Sequence, residues 1–406
     1  VETQPLQSGR RRVGSAPSGR GRDRATGDSG LVETADFIVI GAGVSGAAAA
    51  AYLAPHGRVL LLEAEDQPGY HATGRSAALW TPHYGNKLVR TLIAGSRDFF
   101  LEPPEGFCEN PLLEPRGMLT FAAEENVDAL DRQLAEMGPG HRVQPMEPAI
   151  ACKMVPILRP EGVAAALYDP DVLAMDVNAI HRGYLRTASR QGAAPHCEAR
   201  IVSIARNGNV WHVASDAEAF EAPVIVNAAG AWADEIAIMA GVKPVGLQPM
   251  RRTAVIVDGP DKVDVQGWPA VDAASDEGER YFKPEAGKLM LSPGDETPVD
   301  PQDAQPEDLD VAIVIDWFET VTTLKVRQVR HRWAGLRSFV ADRAPVVGFD
   351  PSVEGFFWLA GQGGYGIMLA PVLGRTTTAL IAEGTLPADL HEAGLDPAAI
   401  APGRLR

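Results

Sequence analysis

The stretch ADFIVIGAGVSGAAAAAYLAPHGRVLLLEAE, residues 35–65, constrains the fold of this chain more than any other. A β-branched run, Phe37 to Ile40, meets a glycine turn. An alanine-rich helix follows from about Ser45 to Leu53, Gly57 stops it, and a second apolar strand spans Val59 to Leu62. Gly41, Gly43 and Gly46 form G-x-G-x-x-G, and Glu63 closes the second strand 22 residues after Gly41. In a chain with 41 glycines the pattern alone is weak. Its place after a strand, opening a helix and answered by an acidic residue, makes it specific for a dinucleotide. The first glycine allows the tight turn, the second lets a pyrophosphate approach the backbone, and the third packs helix on strand. The helix N-terminus around Ser45 offers free N–H groups and partial positive charge. Glu63 accepts from ribose hydroxyls, which favours FAD or NAD over NADP.

Two further glycine turns favour FAD. NAAGAWA (227–233) follows a strand and carries Gly230, as expected beside the adenine half. GFFWLAGQGGYGIMLAPVLGRTTTALIAEG (355–384) reads as strand, glycine loop and long helix. A late helix N-terminus at Gly361–Gly366 would stabilise negative charge at N1 and O2 of a reduced flavin.

At 406 residues, with 45% hydrophobic and 22% charged residues, two domains are expected. The formal charge of −16 repels nucleic acid and anionic membrane, so neither is expected as a partner. Small anions respond to local fields instead. Cys108, Cys152 and Cys197 show neither a C-x-x-C pair nor metal-ligand spacing, so no metal is expected and a reducing cytoplasm is. Residues 1–34 are rich in Arg, Ser and Gly and read as a disordered tail or a misassigned start. No apolar stretch follows the basic residues, and no run approaches a membrane span.

Helices are expected over 87–101, 124–137 and 177–192, with strands in GMLTFAA and VAAALYDP and a hairpin turning at Asn207-Gly208-Asn209. Residues 246–338 have antiparallel texture. The expected fold class is α/β, in an α+β two-domain arrangement: a Rossmann-type FAD-binding domain with an inserted antiparallel-sheet substrate domain. The boundaries expected are 35–85, 165–240 and 338–395 for the first domain, and 86–164 and 241–337 for the second.

The stretches VIGAGVSGA, QPGYHATGRSAA, GFCENPLLEPR, VNAAGAWAD, GLQPMRRTA, WAGLRSFVAD and EGFFWLAGQGGYGI occur in order across residues 35–395. Together they resemble FAD-dependent amino-acid oxidases and dehydrogenases of the D-amino-acid oxidase, glycine oxidase and sarcosine oxidase group. Within it, the chain is similar above all to the bacterial D-arginine dehydrogenases. The resemblance implies hydride transfer from Cα of a D-amino acid to flavin N5, then hydrolysis of the imino acid to a 2-oxo acid and ammonia. It implies cofactor contacts at Gly41, Gly43, Ser45, Gly46, Glu63, Ser76, Ala77, Ile201, Gly230, Gly363, Gly366 and Ile367. Tyr84, Arg252, Tyr281, Arg337 and Gly364 would form the catalytic site. GQGGYGIM contains no late Cys of the kind that sarcosine oxidases use to attach flavin, so non-covalent FAD is implied.

The residue chemistry agrees with these roles. Planar arginine forks hold a carboxylate bidentately, and both Arg252 and Arg337 lie in strand-like segments. For each, a structural ion pair is the competing role. Arg251 should point to the opposite strand face. Tyr84 lies in RSAALWTPHYG (75–85), where Pro82 and Gly85 set bends, and Arg75 reads as a surface or phosphate-side charge. The pattern departs from the D-arginine dehydrogenases at three places. Leu79 stands where they have His, and Gly117-Met118 stands where they place a Glu, removing a charge-assisted contact of roughly 1.5–3 kcal/mol. Asp272 stands where an apolar wall residue is expected, and either receives a cation or sits in a solvated lid. His83 reads as solvated rather than catalytic. Oxidation of N-alkylated amino acids or 2-hydroxy acids, and a flavin subunit of a larger amine-oxidising complex, are the competing functions. The electron acceptor, whether quinone, dye or oxygen, is left open.

Overall fold

Four short apolar strands, Phe37–Ile40, Val59–Leu62, Val224–Asn227 and Phe356–Ala360, run parallel in a computed structural model that describes residues 32–137, 141–276 and 278–406. They form the centre of a six-stranded sheet, flanked by Pro195–His196 at one edge and antiparallel Val346–Phe349 at the other. Val59–Leu62 and Phe356–Ala360 are buried at every position, as strands covered on both faces must be. Helix Val44–Leu53 packs against helices Val177–Arg190 and Gly366–Ala382 on one face. Its alanine run allows that close approach. The other face is covered by a four-stranded sheet whose Trp211 and Phe220 join Ile38, Leu60 and Ile225 in one core.

A nine-stranded sheet stands beside this unit. It is antiparallel except where Ala270–Ala273 runs parallel to Met118–Ala122. Strands Gln248–Val257 and Val329–Phe339 pair along nearly their whole lengths, which places Arg252 opposite Gly335 and Arg337 opposite Met250. Helix Asp308–Val321 packs on this sheet through Val311, Val314 and Phe318.

Three details differ from the sequence reading. Glu33 and Thr34 are not tail but pair in parallel with Phe220 and Glu221. Strand Ala165–Asp169 pairs with Met118–Ala122 and Gln144–Met146, so it belongs to the nine-stranded sheet and not to the nucleotide unit. Helix Lys87–Leu101, expected with the substrate domain, buries Val89, Leu92, Ile93 and Phe100 in the same core as Leu369, Val372 and Leu373. An amphipathic period shows that a face is buried without showing against what. The basic tail over 1–31 lies outside the described residues. Among the described residues no helix is long and apolar enough to cross a membrane.

Candidate functional site

The carboxyl ends of the parallel strands open into an elongated cavity, as the crevice rule for such sheets requires. Gly41, Gly43, Ser45, Glu63, Ile201 and Gly230 line one end, and Gly363, Gly366 and Ile367 the other. Gly41 has φ +99°, and a Cβ there would lie 2.5 Å from the Ala228 carbonyl oxygen. A Cβ at Gly46 would lie 1.8 Å from the Gly41 carbonyl oxygen, so only glycine lets this helix meet this turn. Gly43 is different: its Cβ would meet only Thr73 Oγ1, at 3.3 Å, and the space beside it belongs to the cavity. The Ala42 N–H donates to Glu63 Oε2 at 3.0 Å and the Glu65 N–H to Oε1 at 3.1 Å, which hold the carboxylate in place. A glycine cradle, a helix N-terminus and an oriented carboxylate fit the pyrophosphate and ribose of FAD.

Several cavity residues carried no sequence signal. Thr73 Oγ1 accepts from the Val44 N–H at 3.0 Å, closing one open donor of the helix. His71 packs on Trp232 with ring centroids 4.6 Å apart and contacts Glu65 at 3.1 Å. Arg75 is not a surface charge: it lines the cofactor cavity with its guanidinium largely buried. Its Nη1 donates to the carbonyls of Ala304 and Ala334, both at 3.0 Å, and its Nη2 pairs with Asp303. Trp333 Nε1 donates to the Arg75 carbonyl at 3.0 Å, so this residue ties the nucleotide unit to the second sheet.

A second cavity, of about 780 Å³, lies under the nine-stranded sheet. The two cavities share Ser76, Ala77, Arg252, Tyr281, Arg337, Gly364 and Ile367. Four of the five expected catalytic residues therefore lie at the junction, and Tyr84 lines the second cavity. Arg337 Nη1 donates to the Tyr84 hydroxyl at 3.2 Å. Burial works against the Arg337 charge, but Tyr84, Tyr281, Glu279 and Glu296 outweigh it and raise its pKa. Burial likewise raises the Tyr84 phenol, with Arg337 opposing. A Cβ at Gly364 would press on the Arg337 guanidinium at 3.2 Å, so glycine lets that group reach the junction.

The two neighbouring strand arginines are both ion-paired, at different distances. Arg251 engages Glu307 and Asp310 closely from the opposite strand face. Arg252 makes only long contacts, 3.5 Å to Glu279 and 3.4 Å to Glu296, and its buried Nε has no partner. Arg343 holds Glu296 more closely, at 2.8 and 3.0 Å, and lowers its pKa against the effect of burial.

The departures also find their places. Leu79 and Met118 line the second cavity. Gly117 has φ +72°, and a Cβ there would lie 2.4 Å from the Tyr168 hydroxyl. Asp272 is not in a solvated lid: it is a strand residue facing the second cavity, with Oδ1 buried and unpartnered. His83 is half-buried on the wall of the second cavity. Its Nε2 is buried without a partner, and burial lowers its pKa. Although no metal was expected, His83, Asp169 and Asp171 bring ligand atoms within 4.8 Å of one another. Arg142 already holds Asp171 there, at 2.9 and 3.1 Å through its Nε, and Asp169 accepts the Asp171 N–H at 2.8 Å.

Comparison with known proteins adds the context for this geometry. The family model described as FAD dependent oxidoreductase (DAO) matches residues 36–380. The bovine FAD-dependent oxidoreductase domain-containing protein 1 is 25% identical over 404 residues, covering 87% of this chain and 82% of that protein. The human mitochondrial dimethylglycine dehydrogenase is 26% identical over 419 residues, covering 97% of this chain and 48% of that longer protein. The crystal structure of glycine oxidase from Geobacillus kaustophilus shares the fold, with TM-score 0.78 at 23% identity, over 91% of this chain and 98% of that one.

Proposed function

The chain belongs to the DAO family of FAD-dependent oxidoreductases, and from that premise we propose that it oxidises the Cα–N bond of a D-amino acid. The observation that carries this reading is Arg337, bonded to Tyr84 and given room by Gly364 where the cofactor and second cavities meet. FAD, when bound, supplies the two-electron acceptor for the hydride lost from Cα. Gly41, Gly43, Ser45, Gly46, Glu63 and Gly230 hold its adenosine and pyrophosphate half. Ser76, Ala77, Gly363, Gly366 and Ile367 hold its ring end.

The Arg337 guanidinium takes the substrate carboxylate through the donors that Tyr84 leaves free, and the Tyr84 and Tyr281 hydroxyls add donors to the same group. Arg252 adds charge beside it. The Gly364 carbonyl accepts from the substrate amine, which fixes Cα between these points. Loss of hydride leaves an imino acid, and water converts it to a 2-oxo acid and ammonia. The D configuration is supported by the stretches that resemble D-arginine dehydrogenases. Similarity to dimethylglycine dehydrogenase across nearly the whole chain favours a second reading, an N-methylated amino acid as substrate.

Product analysis separates the two. A D-amino acid yields ammonia and a 2-oxo acid, whereas an N-methyl substrate yields formaldehyde and the demethylated amino acid. Arg337→Lys keeps the charge but loses the planar fork, and should lower kcat/KM about 10- to 100-fold with bound FAD unchanged. Wild-type kinetics in Arg337→Lys would remove Arg337 from the site.

A further inference from the structure

Asp272 carries the strongest signal outside the machinery described above. It lies on strand Ala270–Ala273, in register with Tyr281 on one side and Thr120 on the other. Tyr281 lines both cavities, whereas Asp272 lines only the second, so it lies on the side away from the cofactor. Directly opposed strand residues have Cβ atoms about 4.5–5.5 Å apart. Asp272 therefore lies within reach of the side chain of a substrate held at Tyr281.

The carboxyl group is incompletely satisfied. Gln133 and the Ala273 N–H act to hold its pKa down, yet Oδ1 is buried with no donor within hydrogen-bond distance. Buried acceptors are almost always paired, so this carboxyl lines the cavity with hydrogen-bonding capacity left over. None of the four arginines lining this cavity is bonded to Asp272: Arg90 reaches the carbonyls of Glu136 and Met137, Arg343 reaches Glu296, Arg252 reaches Glu279 and Glu296, and Arg337 reaches Tyr84. Glu279 adds further negative potential next to Asp272. A cavity of about 780 Å³ also holds far more than glycine or an N-methylglycine.

Resting on the amino-acid reading above, we propose that Asp272 is the specificity-determining residue of this site and selects substrates whose side chain ends in an N–H donor. An ammonium, a guanidinium and a carboxamide share that chemistry. In the ligand-free protein, burial and Glu279 push the Asp272 carboxyl up to about 8, so it keeps its proton at neutral pH until such a donor arrives.

The test uses the FAD-loaded full chain and kcat/KM for D-lysine, D-norleucine, D-glutamine and D-leucine. The wild type should prefer D-lysine to D-norleucine, or D-glutamine to D-leucine, at least tenfold, since a site built to bond a polar group discriminates strongly against its absence. Asp272→Leu should abolish that preference while leaving the apolar substrates within about threefold. Asp272→Asn keeps an acceptor oxygen without charge, and should spare D-glutamine if the ligand group is a carboxamide but not D-lysine if it is an ammonium. Equal turnover within each wild-type pair, or equal losses across the panel in the variants, overturns the proposal while leaving the amino-acid reading intact. No turnover of any amino acid by the wild type overturns both.

Discussion

Arg337 and Asp272 face one cavity and respond to burial in opposite ways. The guanidinium stays charged because phenol and carboxylate oxygens surround it, whereas Asp272 meets another carboxylate and keeps its proton. The consequence for stability has a definite sign. Between pH 4 and 8 the folded chain holds a proton at Asp272 that the unfolded chain has released, because its carboxyl moves from 3.8 to about 8 on folding. Stability therefore falls as pH rises through that window, with Glu279, Gln133 and the Ala273 N–H as the groups acting on the carboxyl. Asp272→Asn lacks this proton, so its Tm relative to the wild type should climb from pH 5 to about pH 8 and level off above it. Parallel Tm profiles would show that Asp272 titrates normally. Arg337 was legible in the sequence because a strand arginine between apolar neighbours needs a buried anion. The state of Asp272 was not, since it depends on Gln133 and Glu279, which lie outside its strand.

At the scale of elements, the β-α-β unit was readable because all its determinants lie within about 30 residues of one another. Its glycines divide into two kinds, as the motif's spacing implies. Gly46 is demanded by the protein itself, whose Gly41 carbonyl leaves no room for a Cβ. Gly43 meets no such obstacle, and the proposed function gives its smallness to the cofactor. Gly43→Ala should thus retain a cooperative thermal transition yet lose bound FAD, whereas Gly46→Ala should lose both. Absorbance of the purified protein and a circular-dichroism melt check this directly. A Gly43→Ala protein that still copurifies with full FAD would remove the pyrophosphate from that position. The helix 87–101 and the strand 165–169 went to the wrong side of the domain boundary for a related reason. Their periodicity was plain, but the partner of each buried face lies far along the chain.

Over the whole molecule, the site exists only where two sheets meet, and the residues that join them are distant in sequence. Arg75 reaches Asp303, Ala304 and Ala334, and Tyr84 meets Arg337 across 253 positions. Composition and local pattern carry no record of such pairings, which is why Arg75 read as a surface charge. Resemblance across separated stretches assigned Tyr84 and the arginines to one site, and the structure supplies the bond between Tyr84 and Arg337. The side-chain end of the second cavity, where this chain departs from that resemblance, had to come from the structure. The central claim is that an amino acid held by Arg337 reduces the cofactor. Anaerobic titration of the yellow holoprotein with D-, L- and N-methyl amino acids tests it most directly. The account predicts stoichiometric bleaching of the flavin by a D-amino acid, restored when an electron acceptor is admitted. A flavin spectrum left unchanged by every member of the panel would contradict it.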